Sequence, residues 1–261
     1  MVGKYPRSLK NNLYILSKED IDFEAEQVLK KYFPIGLEKP QEIPVDMIIE
    51  SMKINLLYRR LSRHKEILGG CIFDRGKLPV YDENNVLSEE VFEANTIVIN
   101  SDLADDYDIR YGSTSGHELG HYVTQGDLYF KNKDQLSLFE NSIEDVAIIC
   151  KRESNDVCYI QNEHKKLETK YDWMEWQANY FSSAITVPKK ALEICLKPYY
   201  DKYRDKYDKC LLNNLEDSEL MSLIDGLAKT FHVSPILMIY RLKNLNLLQN
   251  NDMKEVITLW Q

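Results

Sequence analysis

Two hydrophobic rhythms alternate along the chain. After Ser17-Lys18-Glu19-Asp20, a capping-box pattern, residues 22–33 (DFEAEQVLKKYF) have helical character. Pro34 and Pro40 interrupt it, and a second helix is predicted from Pro44, with Val45, Ile48, Ile49 and Met52 spaced to share one face. From Ile54 to Asn100 the pattern changes. INLLYRRL (54–61), LGGCIFD (68–74), KLPVYD (77–82) and NTIVIN (95–100) read as short strands separated by Gly, Asp and Asn turns. A helix is predicted next, starting near Ser113 or Thr114, either of which can cap it. Residues 127–170 read as a long connection. Within it, VAIICKR (146–152) and VCYIQ (157–161) are expected to pair around ESND, and EHKKLETKYD (163–172) reads as a solvated surface. A strong helix candidate follows, DWMEWQANYFSSAI (172–185), closed by Pro188. Residues 218–248 read as helical throughout. There LAKTFHVSPILMIYRLKNL (227–245) has the shape helix, tight turn, helix, with Ser234 as cap and Pro235 in the first turn. The expected class is α+β. Residues 1–43 form a helical extension, 44–190 a main domain with a small mixed or antiparallel sheet, and 191–261 a helical, helix-turn-helix-like region.

Composition narrows the function classes. At 261 residues, with 44% hydrophobic and 29% charged positions, the chain can bury one sizeable core or a main domain with an appendage. A net charge of −9 argues against a protein that chiefly grips nucleic-acid backbone, so a nucleic-acid partner is not expected. The N-terminal stretch has no apolar run of signal-peptide length, and no segment approaches a membrane span. Five cysteines without a CxxC pair, with Cys71, Cys195 and Cys210 scattered, fit reduced thiols and a cytoplasmic location. Cys150 and Cys158 are the closest pair, but two further ligands at metal-site spacing are missing around them.

Chemistry concentrates in His117-Glu118-Leu119-Gly120-His121. On a helix, histidines four residues apart share one face, so both imidazoles can reach a single zinc ion. Glu118, beside the first histidine, points toward the open coordination position and can act as general base. The bland alternative is an amphipathic helix with surface histidines. A second constellation weighs against it: Glu175 and Asn179 in E-W-Q-A-N also share a helix face. Glu175 can complete a His₂Glu ligand set, the usual complement of a catalytic zinc, unless it is an ordinary surface glutamate. Asn179 is placed to hold a ligating histidine by its other ring nitrogen. Trp173, Trp176, Tyr180 and Phe181 read as core anchors.

These segments resemble the ImmA/IrrE family of metallopeptidases. The resemblance rests on G-H-E-L-G-H-Y (116–122) and W-M-E-W-Q-A-N-Y-F (173–181), closed by Pro188. P-V-D (44–46), T-I-V-I-N (96–100), L-A-K-T-F-H-V-S (227–234) and R-L-K-N-L (241–245) extend it over most of 44–248. It implies a zincin-like fold and a zinc endopeptidase of the gluzincin kind, with His117, His121 and Glu175 as ligands and Glu118 as base. It also implies a protein substrate, a helix-turn-helix repressor; a different regulatory protein such as an antitoxin stands as an alternative substrate. The chain departs from the family pattern at Gly112 and Ser113, where arginine and phenylalanine are frequent, and in the length of 127–170.

Tyr111, Tyr180 and His164 are candidates for stabilising an oxyanion. The strand at 96–100 could pair with an extended substrate or lie inside the sheet. Two rival readings stand beside the peptidase. One is a DNA-binding regulator using residues 220–248, although the segment 235–244 offers only Arg241 and Lys243 as basic groups. The other is a zinc-containing module that binds a partner without cutting it, which would leave Glu118 without a task.

Overall fold

The computed structural model describes residues 2–9, 12–64, 66–105, 108–130, 147–151, 167–203 and 211–249. The fold is α+β. Five strands and the sixth at 147–151 form two sheets, and nine α-helices surround them among the described residues.

Helix α1 (Lys18–Tyr32) starts as its sequence predicts: the Ser17 hydroxyl accepts from the Asp20 amide and the Asp20 carboxylate accepts from the Ser17 amide. Short helices α2 (Ile35–Glu38) and α3 (Val45–Ser51) follow. Strands β1 (Asn55–Arg59), β2 (Ile67–Ile72), β5 (Thr96–Asn100) and β6 (Ala147–Lys151) form a mixed sheet in the order β1-β5-β2-β6. β1 runs parallel to β5, and the other two pairings are antiparallel. Strands β3 (Gly76–Tyr81) and β4 (Leu87–Phe92) make a separate antiparallel hairpin. The segment 146–152 was expected to pair with 157–161. β6 pairs with β2, and the expected partner segment 157–161, like Cys210 and His164, lies outside the described residues.

β5 explains its own continuous apolar run. All five of its residues are buried, because it lies between β1 and β2 with both faces covered. Ile97 and Ile99, with Cys71 of β2, join the main core, whereas Val98 and Ile72 pack with Leu78, Val80 and Phe92 of the hairpin. The alternative of strand addition at 96–100 is thereby excluded. Both edges of β5 are taken.

The short helix α4 (Ser101–Asp105) follows β5; the long helix α5 (Arg110–Phe130) then crosses the inner face of this sheet, and α6 (Lys170–Thr186) packs against α5. α5 begins earlier than Ser113 or Thr114. Asp108 accepts from the Arg110 amide, and the Ser113 hydroxyl donates back to the Arg110 carbonyl rather than capping. α6 also begins within the stretch expected to be mere surface. Thr169 and Asp172 form a reciprocal capping box there. Residues of the N-terminal segment, α1 and α3 belong to one core with those of β5, α5 and α6. A second core begins at Val187 and takes in α7 (Lys189–Tyr203), α8 (Asp217–Phe231) and α9 (Pro235–Asn244). α9 starts as read from sequence, with the Ser234 hydroxyl accepting from the Leu237 amide and Pro235 in the first turn. None of the described helices is long and apolar enough to cross a membrane.

Candidate metal centre

The α5–α6 contact is set by small residues. A Cβ on Gly120 would lie 2.9 Å from the Ala178 carbonyl oxygen, and one on Gly116 3.1 Å from the Ser182 hydroxyl. Each helix thus presents a small residue every fourth position, Gly116 and Gly120 against Ala178 and Ser182, so the backbones approach closely. The Ser182 hydroxyl also donates to the Ser113 carbonyl across the seam. Because His117 and His121 each follow one of these glycines, the same packing swings both imidazoles toward the face of α6 that carries Glu175 and Asn179.

The four predicted residues meet. His117 Nε2 and His121 Nε2 lie 3.0 Å apart. Glu175 Oε2 is 3.4 Å from His117 Nε2, and Glu175 Oε1 is 3.2 Å from His121 Nε2. Asn179 Oδ1 lies 2.9 Å from His117 Nδ1, as expected of an orienting partner. These three side chains form a group able to hold a metal ion. The spacing supports this: ligand atoms about 2.0–2.1 Å from a tetrahedral ion stand about 3.3 Å from one another. The protonation chemistry supports it too. Both Nδ1 atoms face amide oxygens, which requires Nδ1–H and leaves both Nε2 lone pairs aimed at each other and at a carboxylate. Glu175 Oε1 is buried with no hydrogen-bond donor. Only a shared proton or a cation reconciles three converging acceptors.

The ionisation of the site points two ways. Burial lowers the pKa of His121, against the opposing pull of Glu175, and so favours a neutral ring. For Glu175, burial acts upward but the facing imidazoles outweigh it and hold the carboxyl well below its ordinary range, an effect that needs positive charge between them. We favour neutral rings around an anionic carboxylate, since two cationic imidazoles 3.0 Å apart would repel strongly in a buried site. A shared proton or a bound cation would supply the positive charge.

Glu118 is fully buried, neither carboxylate oxygen has a hydrogen-bond partner, and its pKa is pushed up to about 8. Burial is the main cause; Glu175 adds to the rise and His117 opposes it. The space for this carboxylate is left by β2. A Cβ on Gly69 would lie 2.9 Å from Glu118 Oε1 and 3.1 Å from Thr114 Cγ2.

Sequence reasoning missed two polar residues. Gln125 Oε1 lies 2.8 Å from His121 Nδ1, Gln125 Nε2 donates to Gln177 Oε1 at 3.0 Å, and Gln177 Nε2 donates to the Tyr14 carbonyl at 2.8 Å. Gln125 stands four residues after His121, a spacing that could have marked it. The link to Gln177 depends on how two helices cross, which no local pattern records.

The oxyanion candidates are engaged elsewhere. The Tyr111 hydroxyl meets that of Tyr58 at 2.8 Å, and seven residues separate Tyr111 from Glu118, about 10 Å along a helix. The Tyr180 hydroxyl donates to Asp22. His164 lies outside the described residues. Of the aromatic anchors, Tyr180 and Phe181 are buried in the core and Trp176 packs against it, but Trp173 is 39% exposed. No protein-family model and no curated protein matches this sequence.

Proposed function

We propose that this protein is a zinc-dependent endopeptidase whose ligands are His117, His121 and Glu175 and whose general base is Glu118. The observation that carries the proposal is a buried, donorless carboxylate beside three converging metal-ligating atoms. His117, His121 and Glu175 would hold a divalent cation, which when bound would supply Lewis acidity to a scissile carbonyl and to an attacking water. Glu118 accepts the proton of that water and delivers it to the leaving amine. Asn179 holds His117, and Glu175 balances the charge of the cation. A module that merely binds zinc would have no use for a second buried carboxylate with unmet hydrogen-bonding capacity.

The resemblance of the two metal segments to ImmA/IrrE peptidases supplies the proposed substrate class, a helix-turn-helix repressor, with an antitoxin as the alternative, and a cytoplasmic setting. The rival reading as a DNA-binding regulator has less support. Ile236 to Leu242 are all buried, and Arg241 is engaged inside the protein, so α9 presents little to a major groove.

The test pairs two variants. Glu118→Gln is expected to retain one zinc per chain by elemental analysis while losing about 10²–10⁴-fold in cleavage rate. His121→Ala is expected to lose the metal. The substrate is sought by mixing the zinc-loaded protein with purified helix-turn-helix repressors, starting with any encoded by a neighbouring gene, and mapping cut sites by mass spectrometry. Wild-type cleavage by Glu118→Gln would end this mechanism.

A further inference from the structure

The amide chain behind His121 has a direction, and the far end sets it. A backbone carbonyl can only accept, so the Tyr14 carbonyl requires the NH₂ group of Gln177. Gln177 must then turn its oxygen to Gln125, which answers with its own NH₂ group. The oxygen of Gln125 is left facing His121 Nδ1, which must therefore carry the proton. His121 Nε2 is thereby a bare lone pair, the state in which it can bind a metal. Reversing any one link places like groups against each other inside the core, where Gln125 is fully buried and Gln177 nearly so.

We propose that Gln125 and Gln177 are positioning residues that transmit the polarity of the Tyr14 carbonyl to His121 and lock its ring in the Nδ1–H tautomer. The N-terminal segment is on this account a working part of the metal centre. That segment is well anchored for the task. Tyr14 pairs with Arg7 as a β-bridge, the Arg7 guanidinium donates to the Tyr14 hydroxyl at 2.9 Å, and Val2, Leu13, Tyr14 and Leu16 are buried in the core shared by α5 and α6. At the other histidine, Asn179 Oδ1 meets His117 Nδ1 directly. The inference rests on the metal-centre reading for its purpose but not for its geometry.

The test reads the tautomer directly, without metal. Long-range ¹H–¹⁵N spectra of the metal-stripped full chain are expected to show His121 in a single Nδ1–H form. Gln125→Met removes the acceptor and is expected to mix the two tautomers and weaken cobalt(II) binding about 10–100-fold. Gln125→Glu gives up the NH₂ group that answers Gln177 but keeps an acceptor at Nδ1, and is expected to preserve the tautomer and to bind cobalt(II) more tightly than Gln125→Met. Gln177→Leu frees Gln125 to turn over and is expected to behave as Gln125→Met does. If Gln177→Leu does not fold, the two Gln125 variants decide the matter between them. The proposal is overturned if His121 in the parent occupies the Nε2–H form, or if Gln125→Met and Gln125→Glu give the same tautomer ratio and affinity. A parent with a fixed Nδ1–H tautomer but no affinity for cobalt(II) or zinc would remove the peptidase reading and leave the relay standing. The opposite result, tight metal binding with a tautomer indifferent to these variants, would remove the relay alone.

Discussion

Glu118 pairs an essential position with an energetic cost. Its folded-state pKa of about 8 lies above the ordinary 4.5, so the folded chain keeps a proton that the unfolded chain has released. Its contribution to stability is therefore greatest in acid and falls as pH rises from about 4.5 to about 8, by at most about 1.4 kcal/mol per pH unit. Glutamine at this position cannot ionise. In metal-stripped protein, the melting temperature of Glu118→Gln should gain on that of the parent as pH rises from about 5 to about 8, then run parallel to it. Calorimetry across that range checks the sign, and a gap that narrows instead would contradict it. That His117, His121, Glu175 and Asn179 could converge was legible from their spacing alone. Gln125 and Gln177 were not, because a glutamine becomes informative only when its partners are known.

Among the elements, the helix–helix seam governs the site. At Gly120 a methyl group would press on backbone atoms of α6, which cannot rotate away. Gly120→Ala is accordingly expected to cost about 1–3 kcal/mol in denaturant unfolding and to weaken zinc binding by parting the histidines from Glu175. Gly69→Ala differs in kind. Its added methyl meets the Glu118 carboxylate and the Thr114 side chain, so activity should fall more than stability, and zinc content should hold. Equal losses in both would argue that β2 merely supports the fold. Helices with strong caps announced themselves, as at Ser17 and Ser234. Strand β4 did not. Its Leu-Ser-Glu-Glu-Val-Phe sequence has little strand preference of its own, and it is extended because it pairs residue for residue with β3 and buries Phe92 beneath the hairpin. The start of α5 was misplaced for a related reason: Asp108, not a hydroxyl residue nearer the motif, meets the first free amide.

Across the whole molecule, the C-terminal helices are clasped to the site helix by charge. Arg241 on α9 is 0% exposed; it donates to the Val187 carbonyl at the end of α6 at 3.0 Å and pairs with Asp22 of α1 at 2.6 Å. Asp22 also accepts from Tyr180, the neighbour of Asn179. Truncating one member of such a buried pair strands the other. Arg241→Ala should therefore destabilise the protein by about 3–5 kcal/mol, read by thermal unfolding, and Arg241→Met by less, since it keeps most of the packing.

The glycine seam has one more consequence. The imidazoles are aimed by backbone contact between α5 and α6 and by amides already in place, not by the ion they would share. Such a centre is assembled before it is filled, unlike a zinc finger, whose chain collapses only around its metal. Dialysis against a chelator should leave the circular dichroism of the protein almost unaltered, and returning zinc should restore the centre without a refolding step.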